Sequence, residues 1–249
     1  MIKLAAPSLA LTLEANALDF LVDGLERFRQ RCKATDLKYA ILQVSQAIEL
    51  FLKARLAKEH PLLVFKDPAK SGADLPTVGV SDALRRLQAA GVSLTARDTS
   101  DVVALSHLRN RLLHSEIKVL QEDAEASVGR ALSFLERFLQ AELSLAVADH
   151  VSEEALFIGR KAGEAYDGAL KLAQDRLDKA LAELRPQQAE AVRLVSCFLC
   201  GQPMAIYPTP DAVPRNQARC YFCDEWNRVT TCKSCGALTT FGDTCECCP

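Results

Sequence analysis

Apolar side chains recur at steps of three and four along most of the chain, the spacing of a helix packed along one side. From Ser8 to about Lys33 the residues Leu11, Leu13, Leu18, Leu21, Val22, Leu25 and Phe28 fall mostly on one face. Cys32 falls inside that first helix and reads as a small buried hydrophobe. Thr35 or Asp36 can cap a second helix running to about His60, where Pro61 stops it, with Ile41, Val44, Ile48, Phe51 and Leu52 as its stripe. Pro61 to Val80 holds three prolines and two glycines and predicts an irregular loop. Ser81 caps a short helix to about Ala90, and Gly91 ends it in the left-handed conformation that glycine tolerates. Thr99 or Ser100 then caps a helix ending near Lys118.

Two long helical patterns follow, about 121–149 and 153–185. Ser152 can cap the second, and Glu153 and Glu154 sit in its first turn, where the helix dipole favours negative charge. Its stripe is Tyr166, Leu170, Ala173, Leu177, Leu181 and Leu184, and Pro186 closes it. Five or six helices and no central sheet are expected, the first four or five as an antiparallel bundle. The predicted organisation is a helical bundle over 1–150 and a long helix over 151–188. That helix would complete the bundle, extend a dimer interface or form a stalk. A cysteine-rich module occupies 189–249.

In that module the texture changes to Cys, Pro, Gly and short β-prone runs at Val192–Val195, Ala205–Tyr207, Val229–Thr231 and Leu238–Phe241. Nine of the ten cysteines lie in the last 53 residues. Cys197-x2-Cys200 precedes Cys220-x2-Cys223, and Cys232-x2-Cys235 precedes Cys245-x2-Cys248. Each set offers four thiolates, enough to close a tetrahedral zinc site with no position left for substrate. Gly201 and Gly236 follow the second cysteine of their pairs, where a tight knuckle turns amides towards sulfur. Two structural zinc ions are expected, rather than redox or iron–sulfur chemistry, and both sets resemble zinc ribbons. Interleaved pairing would use the same residues, and Cys247 can replace Cys248 as ligand. Tyr207, Tyr221, Phe222, Trp226 and Phe241 offer either the small core such a module needs or stacking surfaces for bases. The tail can also dock a protein partner.

Composition narrows the class of protein. The fractions of 49% hydrophobic and 25% charged residues are those of an ordinary globular chain of 249 residues. A formal net charge of −2 supplies no overall basic field, so any contact with nucleic acid must be local. Between Glu190 and Pro249 five basic side chains face six acidic ones, and each four-thiolate zinc site adds about two negative charges. No apolar run reaches bilayer length, and the first residues lack the apolar core of a signal peptide. A cytoplasmic protein without membrane contact is expected, and in a reducing compartment its clustered cysteines read as metal ligands.

The candidate chemistry lies in Leu105-Ser-His-Leu-Arg-Asn-Arg-Leu-Leu-His114. At about 100° per residue, His107, Asn110, Arg111 and His114 share one helix face, with Leu105, Leu108 and Leu112 opposite and Arg109 at the flank. Imidazole gives and takes protons near neutrality, and a guanidinium clamps phosphate oxygens with paired hydrogen bonds. The set suits phosphodiester chemistry, though a solvated helix face can carry the same residues.

Arg109-Asn110-Arg-Leu-Leu-His114 resembles the R-x4-6-H motif of the HEPN family. Leu37–Arg55 resembles an earlier helix of that fold, and Leu84–Leu94 resembles the segment before the motif helix in members with zinc-binding tails. The resemblance spans roughly residues 10–145. It implies a HEPN-like antiparallel bundle and metal-independent cleavage of RNA, with the 2′-hydroxyl attacking its own phosphate to leave a 2′,3′-cyclic phosphate. His114 would move the proton and Arg109 would stabilise the phosphate charge, while Asn110 would orient the phosphate or His114. His107 and Arg111 would hold the strand or stand as plain surface residues. Glu49 would orient Arg109 or sit solvated at the edge of its stripe. Positions i and i+5 lie about 140° apart on a helix, so Arg109 and His114 diverge within one chain. The family's answer is a homodimer whose motifs face one another across a cleft. No catalytic metal is implied. A role as a toxin or in defence against phage comes from the family alone. Glu116 stands where the branch modified by antitoxins carries an aromatic residue, so regulation by a nucleotidyltransferase partner is not implied.

Two further readings compete. One is a non-catalytic bundle binding RNA or nucleotide, with the tail docking a partner. The other is a transcription-associated zinc-ribbon adaptor, for which the sequence holds no basic recognition element.

Overall fold

The computed structural model describes residues 11–70, 72, 74–116, 119–198, 202–207 and 216–240, with the side chains of 187 and 188 left aside. It is mainly helical, with a small C-terminal region of short antiparallel strands. No described helix is long and apolar enough to cross a membrane. The chain divides into two compact units, Met1–Lys161 and Ala162–Pro249, and the division falls inside one long helix.

The first unit begins with helix α1, Leu13–Gln30, whose cap is Thr12: its hydroxyl accepts from the Ala15 N–H at 3.1 Å. The helix is shorter than the expected 8–33. Arg31 turns into the left-handed region (φ 22°, ψ 40°), and the chain leaves the helix there. Cys32 is consequently exposed, not a buried hydrophobe within the helix.

Helix α2, Ala34–Glu59, buries Ile41, Val44, Ile48, Phe51, Leu52 and Leu56, and also Ala40, Ala47, Leu50 and Ala54. Apolar burial around so much of its circumference marks a helix enclosed by neighbours rather than one lying on a surface. It runs antiparallel to α1, because contacts pair early residues with late ones: Glu14 with Lys58, Gly24 with Val44, Arg27 with Tyr39. At the crossing, a Cβ on Gly24 would sit 2.9 Å from Val44 Cγ2 and 3.2 Å from the Val44 backbone nitrogen.

Pro61–Val64 forms a 3-10 turn, and Phe65 pairs with Thr77 in an isolated bridge, so the expected irregular loop carries local order. The Arg86 guanidinium binds it from helix α3, Val80–Ala89, donating to the carbonyls of Leu63, Phe65 and Lys66 at 2.7–3.0 Å. Gly91 has φ 89°, as its place after that helix requires. Helix α4 spans Ala96–His114 and helix α5 spans Gln121–Phe138. They too are antiparallel, with Asp98 against Arg137 and Asp101 against Arg130. The pattern expected to run as one helix to 149 breaks: a π turn covers Leu139–Leu143 and Ser144 adopts φ 56°. The break lets Leu143 and Val147 both turn inward.

Helix α6, Glu153–Ala182, starts where Ser152 accepts from the Ala155 N–H at 3.3 Å. In the second unit its later turns bury Tyr166, Ala173 and Leu177. Ala173 and Leu177 share a core with Val195, Met204, Ala205, Ile206, Ala218 and Val229. Pro186 opens a short helix α7, Pro186–Ala191, since proline is tolerated at a first helical position. Strands β1 (Arg193–Val195), β2 (Ala205–Tyr207), β3 (Gln217–Cys220) and β4 (Trp226–Arg228) form an antiparallel sheet in that order. β5 (Thr230–Thr231) and β6 (Leu238–Thr239) form a separate pair.

Replacing Gly24 by alanine raises helix propensity by about 1 kcal/mol, but the methyl would press on Val44 Cγ2 at 2.9 Å and on the Val44 backbone nitrogen at 3.2 Å. Gly24→Ala is therefore expected to lower stability by about 1–3 kcal/mol in denaturant unfolding. Unchanged or increased stability would show that α1 and α2 do not cross this closely.

Candidate functional site

The helix carrying the motif is positioned by its first turn. Thr95, not Thr99 or Ser100, is its cap: the hydroxyl accepts from the Asp98 N–H at 3.0 Å, and the Asp98 carboxylate accepts from the Thr95 N–H at 3.0 Å. This reciprocal box satisfies two N-terminal amides at once. Burial pushes the Asp98 carboxyl up, but hydrogen bonds from Thr95 and Arg137 outweigh it and hold the group below its usual value. One turn on, Asp101 and Arg130 form an ion pair at 3.3 Å with both side chains buried, and Arg97 approaches Asp101 at 3.5 Å. Here burial wins over the two guanidinium groups, and the Asp101 carboxyl is pushed up. Losing one partner of such a pair typically costs about 3–5 kcal/mol, so α4 is firmly anchored to α5.

Below the anchor, Val102, Leu105 and Leu108 point into the core. Arg109 leaves the flank of that row and reaches α2, donating to Gln46 Oε1 at 3.2 Å. Glu49 lies beyond, 3.8 Å from the Arg109 guanidinium, while its other oxygen takes a closer ion pair from Lys53 Nζ at 2.6 Å. Lys53 also donates to Thr77 Oγ1 at 2.9 Å. Glu49 is thus shared between two cations and mostly covered, and Gln46, which the sequence pattern did not single out, makes the direct hydrogen bond.

The polar face divides. His107 and Arg111 are half-buried; Asn110 and His114 are exposed. His114 is the last residue of α4, because Ser115 is extended (φ −139°, ψ 155°), so the motif closes the helix and does not sit at its middle. Residues 117 and 118, expected to extend it, lie outside the described residues. Asn110 and His114 are one turn apart on a single open face. Arg109 points instead towards α2. One chain can present an imidazole and an amide together to a phosphodiester; it does not bring the Arg109 guanidinium to the same side.

In the second unit the Sγ atoms of Cys197, Cys220 and Cys223 lie within 4.8 Å of one another, and those of Cys197 and Cys223 are 3.6 Å apart. A disulfide would need about 2.05 Å. Thiolates around one tetrahedral zinc, at about 2.3 Å from it, stand about 3.8 Å apart. The three sulfurs therefore fit a metal ion, with one position of a tetrahedron still to be filled. Cys200 lies outside the described residues, as do Cys245, Cys247 and Cys248.

The backbone around the cysteines repeats a single device. The Cys220 N–H donates to the Glu225 carbonyl and the Asp224 N–H to the Cys220 carbonyl. The Cys232 N–H donates to the Ala237 carbonyl and the Gly236 N–H to the Cys232 carbonyl, one position for one position. Cys197 begins the same way, donating to the Gln202 carbonyl. Gly236 and Asp224 each follow a second cysteine and each has positive φ, 74° and 62°. The Cys232–Cys235 turn therefore has the shape of the turn that supplies Cys220 and Cys223.

Tyr207, Tyr221 and Phe222 pack on the small core, and Phe222 meets Tyr166 at 5.0 Å between ring centres. Trp226 does not; it is 46% exposed. Phe241 lies outside the described residues. Comparison with family models, with curated proteins and with solved structures finds no match to the chain.

If a metal ties β1, β3 and the knuckles together, removing it loosens the second unit alone. A strong chelator, or Cys220→Ser, is expected to raise amide hydrogen exchange in β1–β4 by about 10-fold or more and leave α1, α2 and α5 unchanged. Equal exchange with and without chelator would contradict a structural metal.

Proposed function

We propose that the protein is a metal-independent endoribonuclease of HEPN type, acting as a homodimer, with two structural zinc ions in its tail. The observation that carries this reading is His114. It stands exposed at the end of a helix anchored by two carboxylate–guanidinium pairs, with Asn110 on the same open face. An imidazole so placed suits proton transfer, which needs an accessible group on a rigid support.

The chemistry follows from the residues. His114 takes the proton from a ribose 2′-hydroxyl, O2′ attacks the adjacent phosphorus, and the P–O5′ bond breaks. The leaving O5′ gains a proton, giving a 5′-hydroxyl end and a 2′,3′-cyclic phosphate. A guanidinium stabilises the charge building on the phosphate oxygens. Within one chain that guanidinium lies on the wrong side, so the productive arrangement joins Arg109 and His114 from two copies. No metal is asked to act in the reaction.

In the tail, Cys197, Cys200, Cys220 and Cys223 hold one zinc, and Cys232, Cys235, Cys245 and Cys248 the other. The first set is supported by the three clustered sulfurs and the second by the matching knuckle. The zinc stabilises the strands and leaves no position for substrate. A toxin or anti-phage effector in the cytoplasm is the biological role that this activity suits.

One observation favours a second reading, a non-catalytic module binding RNA or nucleotide whose tail docks a protein. Gln46 and Glu49 engage Arg109 within the chain, as they would a purely structural arginine.

Incubation of the purified chain with mixed RNA in EDTA separates the two. Cleavage leaving 2′,3′-cyclic phosphate ends is expected, with His114→Ala slowing it by about 10²–10⁴-fold. Cleavage unaffected by His114→Ala would reject the proposed site, and no cleavage by either protein would favour the binding module.

A further inference from the structure

The β3–β4 edge of the tail sheet presents an exposed face of unusual composition. In the register of β3 and β4, Arg219 pairs with Trp226 and Gln217 with Arg228, so these four share a face, while Ala218, Cys220 and Asn227 share the other. Burial agrees: Ala218, Cys220 and Asn227 are fully covered, whereas Arg219, Trp226 and Arg228 are exposed. By the pairing of β1 with β2 and of β2 with β3, Leu194 and Ile206 continue the row that holds Arg219 and Trp226. Ile206 is covered; Leu194 is 47% exposed.

The exposure of Trp226 is enforced. Asn227 is buried, and its side-chain oxygen accepts from the Phe198 N–H at 2.8 Å while its amide donates to the carbonyls of Ala218 and Glu225. A shift of one residue would bury the indole but strand those hydrogen bonds. The strand is therefore locked in the phase that leaves the indole 46% exposed beside two exposed guanidinium groups.

We propose that this face, centred on Trp226 and flanked by Arg219 and Arg228, binds single-stranded RNA by stacking one unpaired base on the indole. Two exposed guanidinium groups beside an exposed ring supply the two kinds of contact that a single strand offers, phosphate and unpaired base. Arg219 donates to one Asp224 carboxylate oxygen from Nη2 at 3.0 Å and from Nε at 3.1 Å, an exposed pair that a phosphate can replace. A duplex is a poor fit, because its bases are already stacked on one another. The site goes beyond the ribonuclease reading and does not depend on it.

The chain has a single tryptophan, so its fluorescence reports on this face alone. The full zinc-loaded chain would be titrated with a 2′-O-methyl oligonucleotide, which lacks the attacking hydroxyl and is not cleaved whatever the nuclease reading's fate. Saturable quenching is expected with the single strand, and much weaker quenching with its duplex. By anisotropy with a labelled oligonucleotide, Trp226→Ala is expected to weaken binding by about 10- to 100-fold, Trp226→Phe by only a few-fold. Arg228→Ala should lower the slope of log affinity against log salt by about 0.7. Unchanged emission, or anisotropy binding that Trp226→Ala does not weaken, would overturn the proposal. Quenching by an acidic peptide in place of RNA would also overturn it and make the face a protein-docking surface.

Discussion

The helical unit depends on the enclosure of α2. Its 26 residues bury apolar side chains on several sides at once, and each fully buried Leu, Ile or Phe contributes roughly 1.5–3 kcal/mol relative to exposure. A helix so covered fixes what surrounds it. α1 packs antiparallel to it so closely that a methyl at Gly24 would press on Val44, and Arg55 binds Glu142 of the π turn after α5. Arg109 is oriented by the same helix, because Gln46 and Glu49 occupy its less apolar edge. The enclosed helix thus decides which way the motif arginine points, and it points away from His114.

That divergence gives the candidate site its form. Two residues five apart on a regular helix cannot grip one phosphate, and the fold does not bend α4 to let them. Its first turns are tied down by Thr95, Asp98 and Asp101, and its last turn ends cleanly at Ser115. A rigid helix ending in an exposed imidazole is a better half-site than whole site. Two copies placed face to face would complete it. The tail follows a separate logic: its strands are short, and a metal held by the clustered thiolates would supply the cross-links that a small apolar core cannot.

Much of this was legible along the chain. The stripes of α2 and α6, the caps at Ser152 and Gly91 and the cysteine knuckles follow from periodicity and local chemistry. Other elements escaped for physical reasons. Thr95-Ala-Arg-Asp98 carries a capping-box spacing, yet Thr99 and Ser100 offer the same cap chemistry a turn later, and only the partners of Asp98 decide between them. Cys32 looked buried because the pattern gave no sign that Arg31 would leave the helix. β3 and β4 contain Gln, Arg and Asn, poor strand formers whose place is set by pairing and by the buried amide of Asn227. Gln46 was invisible for a related reason: a glutamine at the edge of a stripe gains meaning only when a neighbouring helix lays an arginine against it.

The most direct test of the composite site is complementation between two inactive variants. Arg109→Ala and His114→Ala proteins would be mixed in equal amounts, allowed to exchange subunits, and assayed for cyclic-phosphate ends. If Arg109 of one copy works with His114 of the other, a mixed dimer regains one intact site of two. Half of the dimers would be mixed, so about a quarter of wild-type activity is expected from subunit statistics. Wild-type cleavage with no recovery in the exchanged mixture would contradict a site shared between copies.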